Sequence, residues 1–241
     1  MKTSKIKPPF KTEGEKYQLC EWIIQHFPEN YKEMVYVEPF CGAASTLINK
    51  IPSVEEAIND IDCGIIKIMR AIRDECDDFV SNLQHIECSK ETFNSALQNN
   101  VCNNEVVNEF VLRRMSKGGL KKIFAWSDKP KICQNKWKAI LDSLSKIAQR
   151  LEQVYIFNKP AIEVLNAFNK TNTLVFADPP EPITETEYDH TKLADLLKAY
   201  KGKVIVSNNS ASLYNRLYKS WNNAKKKCIK TSKTTCLWFN Y

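Results

Sequence analysis

Hydrophobic positions along the chain change their spacing twice. Tyr17 to Phe27 carries apolar residues at 17, 19, 20, 22, 23, 24 and 27, the spacing of a helical face, and Pro28 ends it. Met34-Val35-Tyr36-Val37 and Glu56-Ala57-Ile58-Asn59 are short apolar runs that predict buried strands. Each is followed by a helical pattern, Ala43 to about Lys50 and Gly64 to Arg73. From Asp77 to Arg150 such runs disappear, and polar, helix-spaced segments follow one another, broken at Asn99-Asn100, Gly118-Gly119 and Asp128-Lys129-Pro130. Val154-Tyr155-Ile156-Phe157 and Thr173-Leu174-Val175-Phe176 then resume the strands. Thr191 to Tyr200 predicts a helix, Lys203 to Ser207 a strand, and Thr234 to Asn240 a last strand suited to antiparallel pairing. The expected fold class is α/β: one sheet domain from residues 1–76 and 151–241, interrupted by a helical insertion over 77–150. An insertion of that size is large for a loop, which marks it as functional.

Composition narrows the class. The chain has 241 residues and 43% apolar content, ample for a core. No apolar stretch approaches the roughly 20 residues that cross a bilayer, and basic Met1 to Lys11 leads into no apolar segment, so a cytoplasmic protein with no membrane association is expected. Nine cysteines include no C-x-x-C pair, and His26, His85 and His190 stand apart; no metal site is expected.

The net charge of +7 suits a polyanionic partner, and its distribution is more telling. Arg113, Arg114, Lys117, Lys121 and Lys122 cluster around Gly118-Gly119, with Phe124 and Trp126 just beyond. A flexible loop of this kind can track phosphates while its aromatics stack or wedge; a solvated turn between two helices fits the charges equally well. Lys225-Lys226-Lys227 reads as solvated surface.

The carboxyl ends of the predicted strands carry the candidate chemistry, as open α/β sheets require. Gly42, after the first strand, lets backbone approach a ligand, and the helix that follows offers amide donors to a carboxylate. Asp60, after the second, can accept both hydroxyls of a ribose or cap the next helix. Asp178-Pro179-Pro180-Glu181 closes the Thr173–Ala177 run. The prolines stiffen the turn and remove amide donors, leaving the Asp178 carboxylate and the Pro179 carbonyl as a pair of acceptors suited to an NH2 group.

With these residues in place the chain resembles the alpha-ordered N6-adenine DNA methyltransferases, the group containing the DNA adenine methylases of bacteria and their phages. Pro9-Phe10-Lys11-Thr12-Glu13-Gly14-Glu15-Lys16 is similar to the family's opening motif, Val37-Glu38-Pro39-Phe40-Cys41-Gly42 to its cofactor loop, and Asn59-Asp60-Ile61-Asp62 to its ribose-binding turn. Ser207-Asn208-Asn209 and Cys236-Leu237-Trp238-Phe239-Asn240 also match in order. The resemblance implies a Rossmann-like sheet that uses S-adenosylmethionine, held by Lys16, Glu38, Phe40, Gly42, Asp60, Phe157 and Asp178. It implies catalysis at Asp178, Pro179, Pro180 and Glu181, methyl transfer to adenine N6 in double-stranded DNA, and target recognition by the helical insertion. Arg113, Arg114, Lys117, Lys121 and Lys122 would contact the DNA, and whether a partner subunit joins the chain stays open.

The chain departs from the family at Thr12, Glu15, Ala43-Ala44, Pro160 and above all Glu181, where an aromatic that stacks on the flipped base is usual. Such a stack is worth about 1–3 kcal/mol per base. Three readings of Glu181 stand open: Tyr188 supplies the stack, Glu181 hydrogen-bonds a different acceptor or a modified base, or methyl transfer is lost and the protein binds DNA, cofactor or a partner.

Overall fold

The computed structural model describes residues 5–126, 130–182, 188–209, 211–228 and 234–241. In chain order the elements are α1 (Cys20–Ile24), β1 (Val35–Glu38), α2 (Ser45–Asn49), β2 (Glu55–Asn59), α3 (Cys63–Asp74), α4 (Cys76–Gln84), α5 (Lys90–Leu97), α6 (Glu105–Met115) and α7 (Pro130–Leu151). There follow β3 (Val154–Phe157), α8 (Ala161–Ala167), β4 (Thr173–Ala177), α9 (His190–Lys198), β5 (Lys203–Asn208), α10 (Ala211–Leu217), β6 (Asn222–Lys227) and β7 (Thr234–Phe239). They divide into two compact units. One holds Lys16–Ile61 and Val154–Tyr241, the other Met1–Glu15 and Asp62–Gln153.

The first unit is built on a seven-stranded sheet of order β3-β2-β1-β4-β5-β7-β6. β3, β2, β1, β4 and β5 are parallel, and β7 runs antiparallel to both β5 and β6. Every residue of β1 and β4 is buried, which explains why these strands read as continuous apolar runs. Val35, Val37, Val175, Ala177, Val204 and Val206 pack with Leu193, Leu197, Tyr214 and Trp238 on one face. Tyr36, set on the opposite face of β1 by the two-residue period, meets Phe27.

The sequence missed β6, whose residues are exposed except for a half-buried Ala224. An edge strand solvated on both faces has no alternation to read, and its three lysines protect the open edge. The short α8 and α10 were missed as well. The first helix, expected over Tyr17 to Phe27, is confined to Cys20–Ile24, with single turns on either side.

The second unit is helical. Phe79, Phe110, Trp137 and Trp126 form a chain of edge-to-face ring contacts, and the Trp137 indole donates to the Leu83 carbonyl at 3.0 Å. Besides Met1–Glu15 and the residues from Asp77 on, this unit takes in α3 from Asp62. α3 packs against α6 and α7, and Asp62, the N-cap of α3, is bound by Arg113 of α6. The expected break at Asp128-Lys129 lies outside the described residues. No helix among the described residues is long and apolar enough to cross a membrane.

Candidate active site

The carboxyl ends of β1, β2 and β4 bring the sheet unit's candidate residues to one edge. β1 gives way to a turn in which Gly42 (φ 50°) and Ala44 (φ 52°) are both left-handed. Glycine adopts that conformation without cost, whereas alanine is strained in it. Two links dock this turn on the end of β2. The Cys41 amide donates to the Asn59 carbonyl at 2.8 Å, and the Gly42 amide to Asp60 Oδ2 at 2.9 Å. Asp60 therefore ties the Gly42 turn to the end of β2. The helix cap that its position also allowed is made by Asp62, which accepts from the Gly64 and Ile65 amides.

Asn59, fully buried, ties the edge together. Its amide nitrogen donates to the carbonyls of Pro39 and Lys159, both at 3.0 Å, and its oxygen accepts from the Lys159 amide at 2.9 Å. Asn158 donates to the Asp60 carbonyl at 2.8 Å. Sequence reasoning placed Asn59 in the ribose-type turn without giving it this task and passed over Asn158. A buried asparagine closing an apolar run was the available signal for the first.

Glu38 is placed differently from a direct cofactor ligand. It is 2% exposed, accepts a hydrogen bond from the Tyr36 hydroxyl and another from the Leu47 amide, and lies near the buried Lys50–Glu56 pair. Burial pushes its carboxyl up to about 7 against the pull of those partners. Glu38 thus anchors the turn to α2 from inside. α2 is only five residues long, and Glu38 already takes one of its first-turn amides, so the expected row of donors for a carboxylate is reduced.

Asp178 follows β4 and retains 19% side-chain exposure, with Lys16 Nζ 2.8 Å from its Oδ2. Burial raises its pKa, while the Lys16 ammonium, and the Ser207 hydroxyl beside it, pull it down. Pro179 is buried and Pro180 half-buried. Glu181 Oε1 accepts from Asn209 Nδ2 at 2.6 Å, and Asn209 Oδ1 in turn accepts from the Thr235 hydroxyl at 2.7 Å. Nothing in the sequence linked these three. Tyr188 meets Phe40 edge-on at 5.5 Å and His190 at 5.3 Å, and its buried hydroxyl has no hydrogen-bond partner among the described residues. To face a base it has to leave those contacts. Phe157, at the end of β3, packs against Phe168 at 6.0 Å.

In the helical unit the basic cluster is only partly a loop. Arg113 and Arg114 lie in the last turn of α6. Arg113 is 4% exposed, pairs with Glu109 and Asp62, and stacks over Phe10. This corrects its expected role as a DNA contact, because its charge is spent inside the unit. Lys121 is half-buried on Glu109 at 2.9 Å. Lys117 and Lys122 are exposed. Arg114 and Lys11 both lie over the Trp126 ring, at 5.6 and 5.3 Å. Burial first, and then the Arg114 charge, lower the Lys11 ammonium to about 8. Phe124 and Trp126, expected as exposed wedges, pack against Phe93 and Trp137, while Leu120 and Ile123 are the exposed apolar residues of the turn.

Gly118-Gly119 is a required turn rather than a flexible tether. Both glycines have positive φ, and a Cβ on Gly119 would stand 2.1 Å from the Lys11 carbonyl oxygen.

Comparison with known proteins identifies a family. The family model described as "D12 class N6 adenine-specific DNA methyltransferase" matches residues 13–234. No curated protein matches the chain. Among solved structures, a conserved hypothetical protein from Streptococcus pyogenes is 9% identical, with 94% of this chain and 96% of that one covered and a TM-score of 0.43. The rRNA methyltransferase aviRa from Streptomyces viridochromogenes is 10% identical, with 97% and 87% covered and a TM-score of 0.44. The family match spans nearly the entire chain and includes the Gly42 turn, Asp60 and Asp178, so the chain belongs to the D12 class N6 adenine-specific DNA methyltransferases, enzymes that methylate adenine N6 in DNA from S-adenosylmethionine.

Proposed function

We propose that this chain performs its family's methyl transfer at the Asp178-Pro179-Pro180-Glu181 edge, and that the residues of the sheet unit divide the work as follows. The donor set fits S-adenosylmethionine. Lys16 and Asp178, 2.8 Å apart, offer one cation and one anion to a zwitterionic amino acid. Asp60 offers carboxylate acceptors to a ribose, and Phe40 and Phe157 offer apolar rings. Gly42 lets the turn backbone approach closely, with Glu38 bracing it from behind. When bound, the cofactor supplies an electrophilic methyl carried on a sulfonium.

The Asp178 carboxylate and the Pro179 carbonyl accept the two N6 hydrogens of adenine, which turns the nitrogen lone pair toward the methyl. With the cofactor bound, the new bond to N6 would be balanced by loss of the methyl's bond to the sulfonium sulfur. The proton that N6 then sheds has an acceptor in Asp178, whose proton affinity burial raises. An adenine in a duplex has to leave the stack to reach this edge. The helical unit is the target-recognition part, with Lys117 and Lys122 on phosphates and Leu120 and Ile123 as apolar contacts to bases or sugars.

The Lys16–Asp178 pair beside the paired acceptors carries this reading. A kinetic split tests it. Asp178→Ala lowers kcat by about 10²–10⁴-fold while duplex affinity persists. Asp60→Ala chiefly weakens cofactor binding, measured by calorimetry. Full kcat in Asp178→Ala contradicts the assignment.

A further inference from the structure

Asn209 has a fixed orientation. A carboxylate only accepts hydrogen bonds, so the Asn209 amide nitrogen has to face Glu181, and its oxygen is then left to the Thr235 hydroxyl, as the 2.6 and 2.7 Å contacts record. Thr235 is itself 3% exposed, on β7. An amide held at both ends cannot rotate, and its nitrogen carries a second hydrogen that no described residue accepts.

The strand register sets where Asn209 lies along the sheet edge. β4 and β5 pair Ala177 with Val206, so Asp178 comes opposite Ser207, whose hydroxyl lies beside the carboxylate. Asn209 is two residues beyond Ser207. It lies in the bend just past the end of β5, one step further out past the carboxyl end, where Thr235 of β7 reaches it.

Adenine presents a donor only at N6; its remaining ring positions available to a protein are acceptors. Glu181 by itself therefore has nothing to accept from an adenine whose N6 hydrogens are already engaged. Through Asn209 its charge becomes useful as an aiming device. We propose that Asn209 is a substrate-binding residue, donating its second amide hydrogen to a ring nitrogen of the target adenine, and that Glu181 is the positioning residue that holds it there. This rests on the reading of Asp178 as the transfer site. It gives the base an edge contact in a site that lacks an aromatic after Pro180.

The test needs the target adenine, which methylation of natural DNA by the wild-type protein identifies. Duplexes carrying 1-deaza-, 3-deaza- or 7-deazaadenine at that position are then compared with the unmodified duplex. Loss of one hydrogen bond predicts that the wild type loses about tenfold in kcat/KM on one of the three analogues. Asn209→Ala loses about tenfold on the unmodified duplex and suffers no further penalty on that analogue. Glu181→Gln keeps an acceptor oxygen for the amide and stays within about threefold of wild type, whereas Glu181→Ala behaves like Asn209→Ala and the double variant is no worse than either. Equal wild-type rates on all three analogues overturn the proposal with no variant needed, and so does an undiminished analogue penalty in Asn209→Ala. The failure of the underlying reading is separate, since it appears as retained transfer by Asp178→Ala on the unmodified duplex.

Discussion

Asp178 has to satisfy opposing demands. In the proposed transfer it would accept from an amine in its ionised form, yet burial favours its neutral form and raises its pKa. Lys16, 2.8 Å away, opposes that rise. The sign of the pH dependence follows. Activity falls as acid protonates Asp178, at a pH above that of an ordinary aspartate, and removing the ammonium raises the pKa further. Lys16→Met is expected to move the acid limb of the kcat profile to higher pH, read at saturating cofactor; an unmoved limb would mean that another group controls it. Glu181 obeys the same local logic. Its charge, which looks foreign at a base-stacking position, is engaged by Asn209, and the sequence held no hint of this because the partners lie 28 and 54 residues along the chain.

At the scale of elements, the Lys117–Gly119 turn separates charges that look equivalent in sequence. Arg113 and Lys117 are four residues apart, yet the first points into the helical unit and the second into solvent. Lys117→Ala with Lys122→Ala is expected to leave thermal stability within about 0.5 kcal/mol. The same pair lowers the slope of log K against log salt for duplex DNA by about two, since each phosphate no longer neutralised takes away about 0.9. Arg113→Ala has the reverse signature. It costs about 3 kcal/mol of stability, the low end for breaking a buried pair because Asp62 keeps 40% exposure, and acts on the salt slope only through unfolding. A salt slope unchanged by the lysine pair would remove the turn from the DNA interface. The charge cluster was legible as a cluster; which members face outward depends on helix phase and on Glu109 and Asp62, and no local spacing reveals that.

For the molecule as a unit of function, legibility followed burial. The parallel strands β1, β2, β4 and β5 announce themselves because both faces are covered, and the ends of β1, β2 and β4 then locate Gly42, Asp60 and Asp178. The antiparallel ending at β7 was visible for the same reason, whereas β6, solvated throughout, was not. The bonds made by Asn59, Asn158 and Asn209 stayed hidden because a side-chain amide serves a turn, a cap or a ligand equally well, and only the assembled sheet edge distinguishes these uses. That this edge methylates adenine in DNA is the proposal on which the rest depends. Its most direct test is to incubate the protein with S-adenosylmethionine and unmethylated duplex DNA of mixed sequence, digest the DNA to nucleosides, and weigh them by mass spectrometry beside an Asp178→Ala control. N6-methyladenine is expected from the wild type and none above background from the variant; folded wild-type protein that leaves every base unmodified, or a variant that methylates equally well, would contradict methyl transfer at this edge.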